Sequence, residues 1–496
     1  MGDMQTKLLM YHWTQDNFPK LRAGGIQVYQ KNIIQALSKI EDLHLTVLSS
    51  GSSDLYDFLI PSIRIKRLPS SKTDLERFGL INSPVCSPTS HFFGNPFSLK
   101  HQEMQEVFFN FVVKQEIDAI HINHLDGLPA EVLAIKERLP HIKIIFSMHD
   151  YYSLCPQINF LYKGQELCND SQNGKKCQSC LPVLDFNPFF SKKRADWFAF
   201  RIIDRMGLDP SGHLGKMIQD LSQKIFFRKT AKNPTASPSD NVLLDWHKIV
   251  DLINEHVDHV LPVSDRVRQI AIHHGIKADL LSVLRLGKDE AIQFRNEPTP
   301  QGRLVREDGC LTLFYLGYMT LHKGFFFLLE AFEKMPEELS QKINLVVAAK
   351  KHDDPTVFNR FLGLRSKLKS WTHYDGYTHS QLDNILEKGS IGLLCHIWEE
   401  TGPLTAWEMH CRHIPFLTSD LGGATEMAGC EKMVYGHGNV PELIERIRMI
   451  LEGKVTHEEY WKNSITPITV EEHCQELVQY YCIKDRERVS RGAVSF

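Results

Sequence analysis

The sequence predicts an α/β protein made of two doubly wound domains that face each other across a cleft. Three observations predict it. At 496 residues the chain is too long for one hydrophobic core. Short apolar runs alternate with helical patterns through the first third. A polar stretch near residue 300 then precedes a second alternation of the same kind.

In the first unit KLLMYHW (7–13) reads as a strand ending at a Gly-containing turn, and IQVYQKNIIQALSKI (26–40) places apolar residues three and four apart, as a helical face requires. LHLTVLSS (43–50), IRIKRLP (63–69), AIHINH (119–124) and KIIFSMH (143–149) read as buried strands, with EMQEVFFNFVV and LPAEVLAIKERL as the helices between them. After residue 150 the rhythm breaks for a cysteine-rich loop and a helical insertion (187–240), in which KNPTASPSD (232–240) reads as a loop. It resumes at HVLPVS (259–264) and LLSVLRLG (280–287). The polar segment 288–309 carries Pro and Gly, and places a linker at 291–309 between an N-terminal domain (1–290) and a C-terminal domain (310–470). Strands are expected at LTLFYLG (311–317), INLVVAA (343–349), THYDGY (372–377), IGLLCHIW (391–398) and IPFLTSD (414–420). Residues 471–496 are a helix and tail that can cross back to the first domain.

Charge narrows the partners. Lys plus Arg total 57 against 60 acidic residues, for a net charge of −3, so no nucleic-acid partner is expected. The longest aromatic-apolar run, VFFNFVV (107–113), is far too short to span a bilayer. The opening MGDMQTKLLMYHW has no secretory pattern, so a cytoplasmic location is expected. FFSKKRADWFAFRIIDRM (189–206) mixes aromatics with a basic run. It reads either as a packed amphipathic helix or as a surface meeting a membrane or a lipid-linked acceptor.

Of the 11 cysteines, Cys155, Cys168, Cys177 and Cys180 fall close together and end in a CxxC. Four thiolates can close a tetrahedral zinc shell with no open catalytic position; buried thiols or disulfides are the other readings.

Four strand-to-helix turns carry chemistry. Arg22-Ala23-Gly24-Gly25 lets backbone approach an anion at a helix start, with Arg22 adding charge, or else simply makes a tight turn. His149-Asp150 ends a strand where an ionisable pair can hydrogen-bond sugar hydroxyls, with His121 and His124 on a neighbouring strand; a buried structural histidine is the alternative. Gly317 opens GYMTLHKG (317–324), which sets Lys323 at a helix start that disfavours a cation unless an anion binds there. EETGPLTAWE (399–408) puts Glu400 in a turn and Glu408 about two helical turns on. Gly402, Pro403 and Leu404 open that helix, leaving amides for phosphate, while two carboxylates can bind sugar and ribose hydroxyls.

Together these segments resemble glycosyltransferase family 4, the retaining glycosyl transferases group 1 with the GT-B fold, over about residues 7–180 and 255–455. Its E-x7-E signature matches Glu400-TGPLTAW-Glu408, its Gly-Gly turn Gly24-Gly25, its strand-closing histidine His149, its Lys-Gly helix start Lys323-Gly324, and a further turn Gly422-Gly423-Ala424-Thr425-Glu426. The resemblance implies a hexosyltransferase-type enzyme that retains anomeric configuration and uses a UDP, GDP or ADP sugar without a catalytic metal. The acceptor would be a glycan, a lipid-linked or a small hydroxyl compound, as in polysaccharide biosynthesis. By the same resemblance Glu400 would contact the transferred sugar, Glu408 the ribose, His149 the donor sugar, and Lys323 with the amides after Gly402 the leaving diphosphate. Cys-rich segments after the histidine strand occur in some relatives, which implies a structural zinc loop. The chain departs from the pattern at Tyr318, where relatives carry an arginine; Arg22 or Lys350 is expected to compensate. Two other readings remain: a nucleotide-sugar epimerase of similar shape, and a non-catalytic relative that binds a nucleotide sugar.

Overall fold

The computed structural model describes residues 5–13, 25–52, 62–68, 75–85, 98–171, 175–180, 195–196, 198–200, 202–203, 205–210, 212–230, 242–386 and 391–481. Arg22, Gly24, the loop read at 232–240 and the tail beyond 481 lie outside them.

The N-terminal sheet runs β3-β4-β2-β1-β5-β6-β9, with β1 Thr6–His12, β2 Leu43–Ser52, β3 Arg64–Arg67, β4 Glu76–Ile81, β5 Ala119–Ile122, β6 Lys143–Met148 and β9 His259–Pro262; β7 Leu161–Tyr162 and β8 Glu166–Leu167 form a separate hairpin. All pairs are parallel except β3–β4. β5 is buried along its whole length and β1 at all but one residue, as expected of strands with helices on both faces. The helix Gly25–Leu37 crosses from β1 to β2, burying Tyr29, Ile33, Ile34 and Leu37 as one stripe.

Two expectations need correcting. IRIKRLP is a half-exposed antiparallel edge, not a buried parallel strand, and β4, unread in the sequence, lies between it and β2. LLSVLRLG forms no continuous strand: Leu281 makes a single bridge to Val260, and the Ser282 and Leu284 N–H groups donate to the Val260 and Pro262 carbonyls at 3.0 and 2.9 Å. Its apolar residues Leu284 and Leu286 are buried.

The C-terminal sheet is wholly parallel, in the order β12-β11-β10-β13-β14-β15. It comprises β10 Leu311–Leu316, β11 Ile343–Ala348, β12 Ser370–Tyr374, β13 Ile391–Leu394, β14 Phe416–Ser419 and β15 Val434–Tyr435. Each sheet changes winding direction once, between β1 and β5 and between β10 and β13. Crevices open at the carboxyl ends of strands flanking such a switch. The two crevices face each other.

The last helix, Val470–Tyr481, packs on the N-terminal domain. Tyr481 Oη lies 2.6 Å from His121 Nδ1, and the Tyr29 phenol 2.9 Å from His473 Nε2. His473 Nδ1 is 2.7 Å from the Arg285 carbonyl, so that nitrogen carries the proton and Nε2 accepts from Tyr29. At the base of the cleft Arg266 of the N-terminal domain pairs with Glu399, and its backbone N–H donates to Glu426. Arg285 also reaches Glu426, at 3.3 Å.

Candidate active site

A cavity of about 1240 Å³ lies between the lobes. Gly25, His149, Gly317, Lys323, Glu400, Gly402, Pro403, Leu404 and Glu408 all line it, although they come from four separate stretches of sequence.

Lys323 and Glu400 meet because two glycines let their loops close. Gly324 is left-handed at φ 74°, and a Cβ there would sit 1.6 Å from the Cys395 carbonyl, so the Lys323 turn lies directly on the end of β13. Gly422 is left-handed at φ 72°, and its Cβ would sit 2.2 Å from the Glu400 carbonyl, which instead accepts from the Gly423 N–H at 2.8 Å. The Gly-Gly-x-x-Glu turn therefore shapes the Glu400 backbone, and its Glu426 fastens the lobes. With both loops seated, Lys323 Nζ donates to Glu400 Oε2 at 2.5 Å and Trp398 Nε1 donates to the same oxygen at 3.1 Å. Burial pushes the Glu400 carboxyl up. The Lys323 charge, then His396 and the lysine hydrogen bond, outweigh it and hold the carboxyl below its usual range. The Tyr315 hydroxyl pins the intervening loop through the Tyr318 carbonyl at 2.7 Å.

Across the cleft His149 follows β6. Its carbonyl accepts from Thr401 Oγ1 at 2.8 Å, its Nε2 lies 3.2 Å from Asn123 Oδ1, and Tyr29 packs on the ring with centroids 4.5 Å apart. Burial, then the neighbouring His124, push its pKa well down, so the ring is neutral. Asp150 lies 2.8 Å from His124 Nδ1, and both line the cleft. His121 does not: it is buried, between Tyr481 and Ser147. Gly25 faces Leu404 across the gap, where an added Cβ would lie 2.8 Å from the flexible Leu404 Cδ1.

Glu408 shares the cavity but not the Lys323 cluster. It lies 3.7 Å from Lys288 and 3.8 Å from His379, beside Glu290. Sequence reasoning missed Lys288, Glu290 and His379. The segment starting at Lys288 looks like a solvated linker, and a buried lysine at its first residue has no periodic signal.

The cysteine expectation is not supported. Cys155, Cys168, Cys177 and Cys180 are free, and among the described residues no group of three or more His, Cys, Asp or Glu is disposed to hold a metal ion. The sulfurs are engaged with backbone instead: Cys180 Sγ accepts from the Lys163 N–H at 3.2 Å, and Cys168 Sγ donates to the Asp170 carbonyl at 3.7 Å. These contacts staple the small hairpin Leu161–Tyr162 and Glu166–Leu167. Burial pushes the Cys155 thiol up to about 12. No helix among the described residues is long and apolar enough to cross a membrane.

Residues 301–466 match the family of glycosyl transferases group 1. A solved glycosyltransferase from Rickettsia africae ESF-5 superposes with TM-score 0.54 at 14% identity, covering 96% of this chain and 98% of that one. The N-terminal domain of trehalose-6-phosphate phosphatase from Candida albicans gives 0.55 at 10% identity, covering 97% and 98%. No curated protein matches the sequence. At such identities the superpositions establish a shared fold, and together with the cleft they define a protein of the GT-B class. Over residues 301–466, its C-terminal domain, the chain is similar to the glycosyl transferases group 1.

Proposed function

We propose that the protein is a retaining, metal-independent glycosyltransferase that moves a sugar from a nucleotide-sugar donor to an acceptor hydroxyl, in glycan or polysaccharide assembly. The observation that carries this reading is the Lys323–Glu400 pair on the floor of the cleft, inside the stretch that matches the family. In this reading the donor diphosphate takes the Lys323 ammonium and the amides after Gly402. Glu400 then accepts hydrogen bonds from hydroxyls of the transferred sugar, His149 contacts that sugar from the facing lobe, and Glu408 accepts from the ribose. The anomeric C–O bond breaks toward the diphosphate, and negative charge develops where Lys323 already stands. A phosphate oxygen takes the proton of the acceptor hydroxyl as its oxygen bonds the same face of the anomeric carbon. Lys323 supplies the charge neutralisation for which other transferases use a divalent cation.

Tyr318 lines the cleft where relatives carry an arginine; Lys350 lines it too, and either it or Arg22, which lies outside the described residues, would compensate for the missing charge. Replacing Arg22 or Lys350 with Ala should weaken donor affinity; unchanged affinity and turnover in both would remove that compensation.

The test is a panel of UDP, GDP and ADP sugars, followed first by thermal shift and then by product analysis with and without acceptors. A donor that stabilises the protein and is turned over by wild type but not by Glu400→Ala supports the reading. Stabilisation without turnover of any donor indicates a non-catalytic binder, and an isomerised nucleotide sugar an epimerase.

A further inference from the structure

We propose that Lys288 is a positioning residue for donor recognition, holding the Glu408 carboxylate oriented toward the ribose diol. The inference rests on the reading of Glu408 as the ribose contact.

The backbone fixes Lys288 first. A Cβ on Gly287 would lie 2.4 Å from the Thr469 carbonyl, so this stretch can lie against the returning chain only with glycine there. The Lys288 N–H then donates to the Ile468 carbonyl at 2.8 Å. The side chain is only 6% exposed and points its ammonium between two carboxylates, 3.7 Å from Glu408 and 3.9 Å from Glu290.

Charge accounting singles out this lysine. Among the described residues two basic side chains come within 4.0 Å of Glu408, and the other, His379, is 62% exposed and lies nearer Glu290, at 3.0 Å. Arg412 spends its guanidinium on Asp383, on the Glu408 carbonyl and, at 3.7 Å, on Glu290. Lys288 is thus the buried counter-charge of a carboxylate that is itself 13% exposed. At 3.7 Å the ammonium stabilises the charge without a short hydrogen bond, leaving the oxygens to accept from a pair of hydroxyls.

The experiment measures binding of UDP, GDP and ADP, each against its 2′,3′-dideoxy counterpart, by calorimetry on the full chain. In wild type the tightest nucleotide should bind roughly 10- to 100-fold better than its dideoxy form, the worth of hydrogen bonds to a charged group. Lys288→Met should reduce that ratio to about threefold or less. Because a lone buried lysine removal can unfold the site, Lys288→Met/Glu290→Gln, which removes one charge of each sign, is measured beside it and should lose discrimination equally. Should the double variant keep the wild-type ratio, Lys288 merely offsets Glu290 and the proposal falls. Glu408→Gln separates the two layers: if it retains full discrimination, or if wild type shows none, the ribose reading of Glu408 itself is wrong.

Discussion

Lys323 Nζ and Glu400 Oε2 stand 2.5 Å apart although 77 residues separate them in sequence. Each occupies the other, so under the proposed function a donor diphosphate would have to draw the ammonium from the carboxylate. Glu400→Gln therefore frees the lysine. Affinity for the bare nucleoside diphosphate should hold or rise, while turnover falls on the order of 10²–10³-fold. Lys323→Met should weaken both, a split that isothermal titration and steady-state kinetics resolve.

The ionisation of that pair sets an acid limb. The Glu400 carboxyl sits below its ordinary 4.5, so the pair is intact at and above that pH and is lost only as pH falls through the lower folded-state value. Turnover should be insensitive to Glu400 between about pH 5 and 8. A limb near neutrality that disappears in Glu400→Gln would contradict this.

Gly309 and Gly324 share φ 74° but differ in surroundings: nothing lies within 4 Å of a Cβ at Gly309, whereas Gly324 faces the Cys395 carbonyl at 1.6 Å. Gly309→Ala should cost only the left-handed penalty, about 1–2 kcal/mol. Gly324→Ala adds a backbone clash and should cost about 2–5 kcal/mol. Urea midpoints of the two variants check the order.

The docking of the last helix should be acid-sensitive. Burial lowers His121 to about 3 and His473 to about 4, from 6.5 in the unfolded chain. Both folded-state values are depressed, so the unfolded chain binds more protons. Stability is full above pH 6.5 and drains as pH falls toward 4, by about 1.4 kcal/mol per pH unit for each histidine. Urea titrations at pH 7 and pH 5 should show this loss, and His473→Gln should flatten it.

Arg266 clasps the lobes by pairing with Glu399, which is 6% exposed. Arg266→Ala strands that carboxylate and should cost about 1–3 kcal/mol. Adding Glu399→Gln should recover part of it. Small-angle scattering should show looser lobes in the single variant, and an unchanged profile and midpoint would contradict the clasp.

Much of the site was legible because it lies at strand ends, where local signals coincide. An apolar strand, a Gly or Pro turn and a helix start place Lys323, His149, Glu400 and Glu408 in sequence before any fold is known. The Gly422-Gly423 turn was legible as a motif, yet its task of seating the Glu400 backbone was not, because that contact is made by the chain's own carbonyl. Lys288 left no signal at all. A single lysine at the edge of a polar stretch looks solvated until the chain's return at Ile468 and Thr469 buries it. The cysteines were legible only as a cluster: spacing and resemblance suggested a metal shell, but among the described residues no such group forms, and the Cys168 and Cys180 sulfurs engage backbone beside the hairpin.

By itself the amino-acid sequence determined the two α/β units, the order of their turns and the residue types presented there, since periodicity and turn chemistry act between near neighbours. Tertiary structure alone decided which of those turns meet. Whether Lys323 pairs with Glu400, whether Lys288 is buried against Glu408, and whether His121 serves the last helix rather than the cleft depend on two sheets closing on one another. Burial and opposite charge act through space, and no local pattern records them.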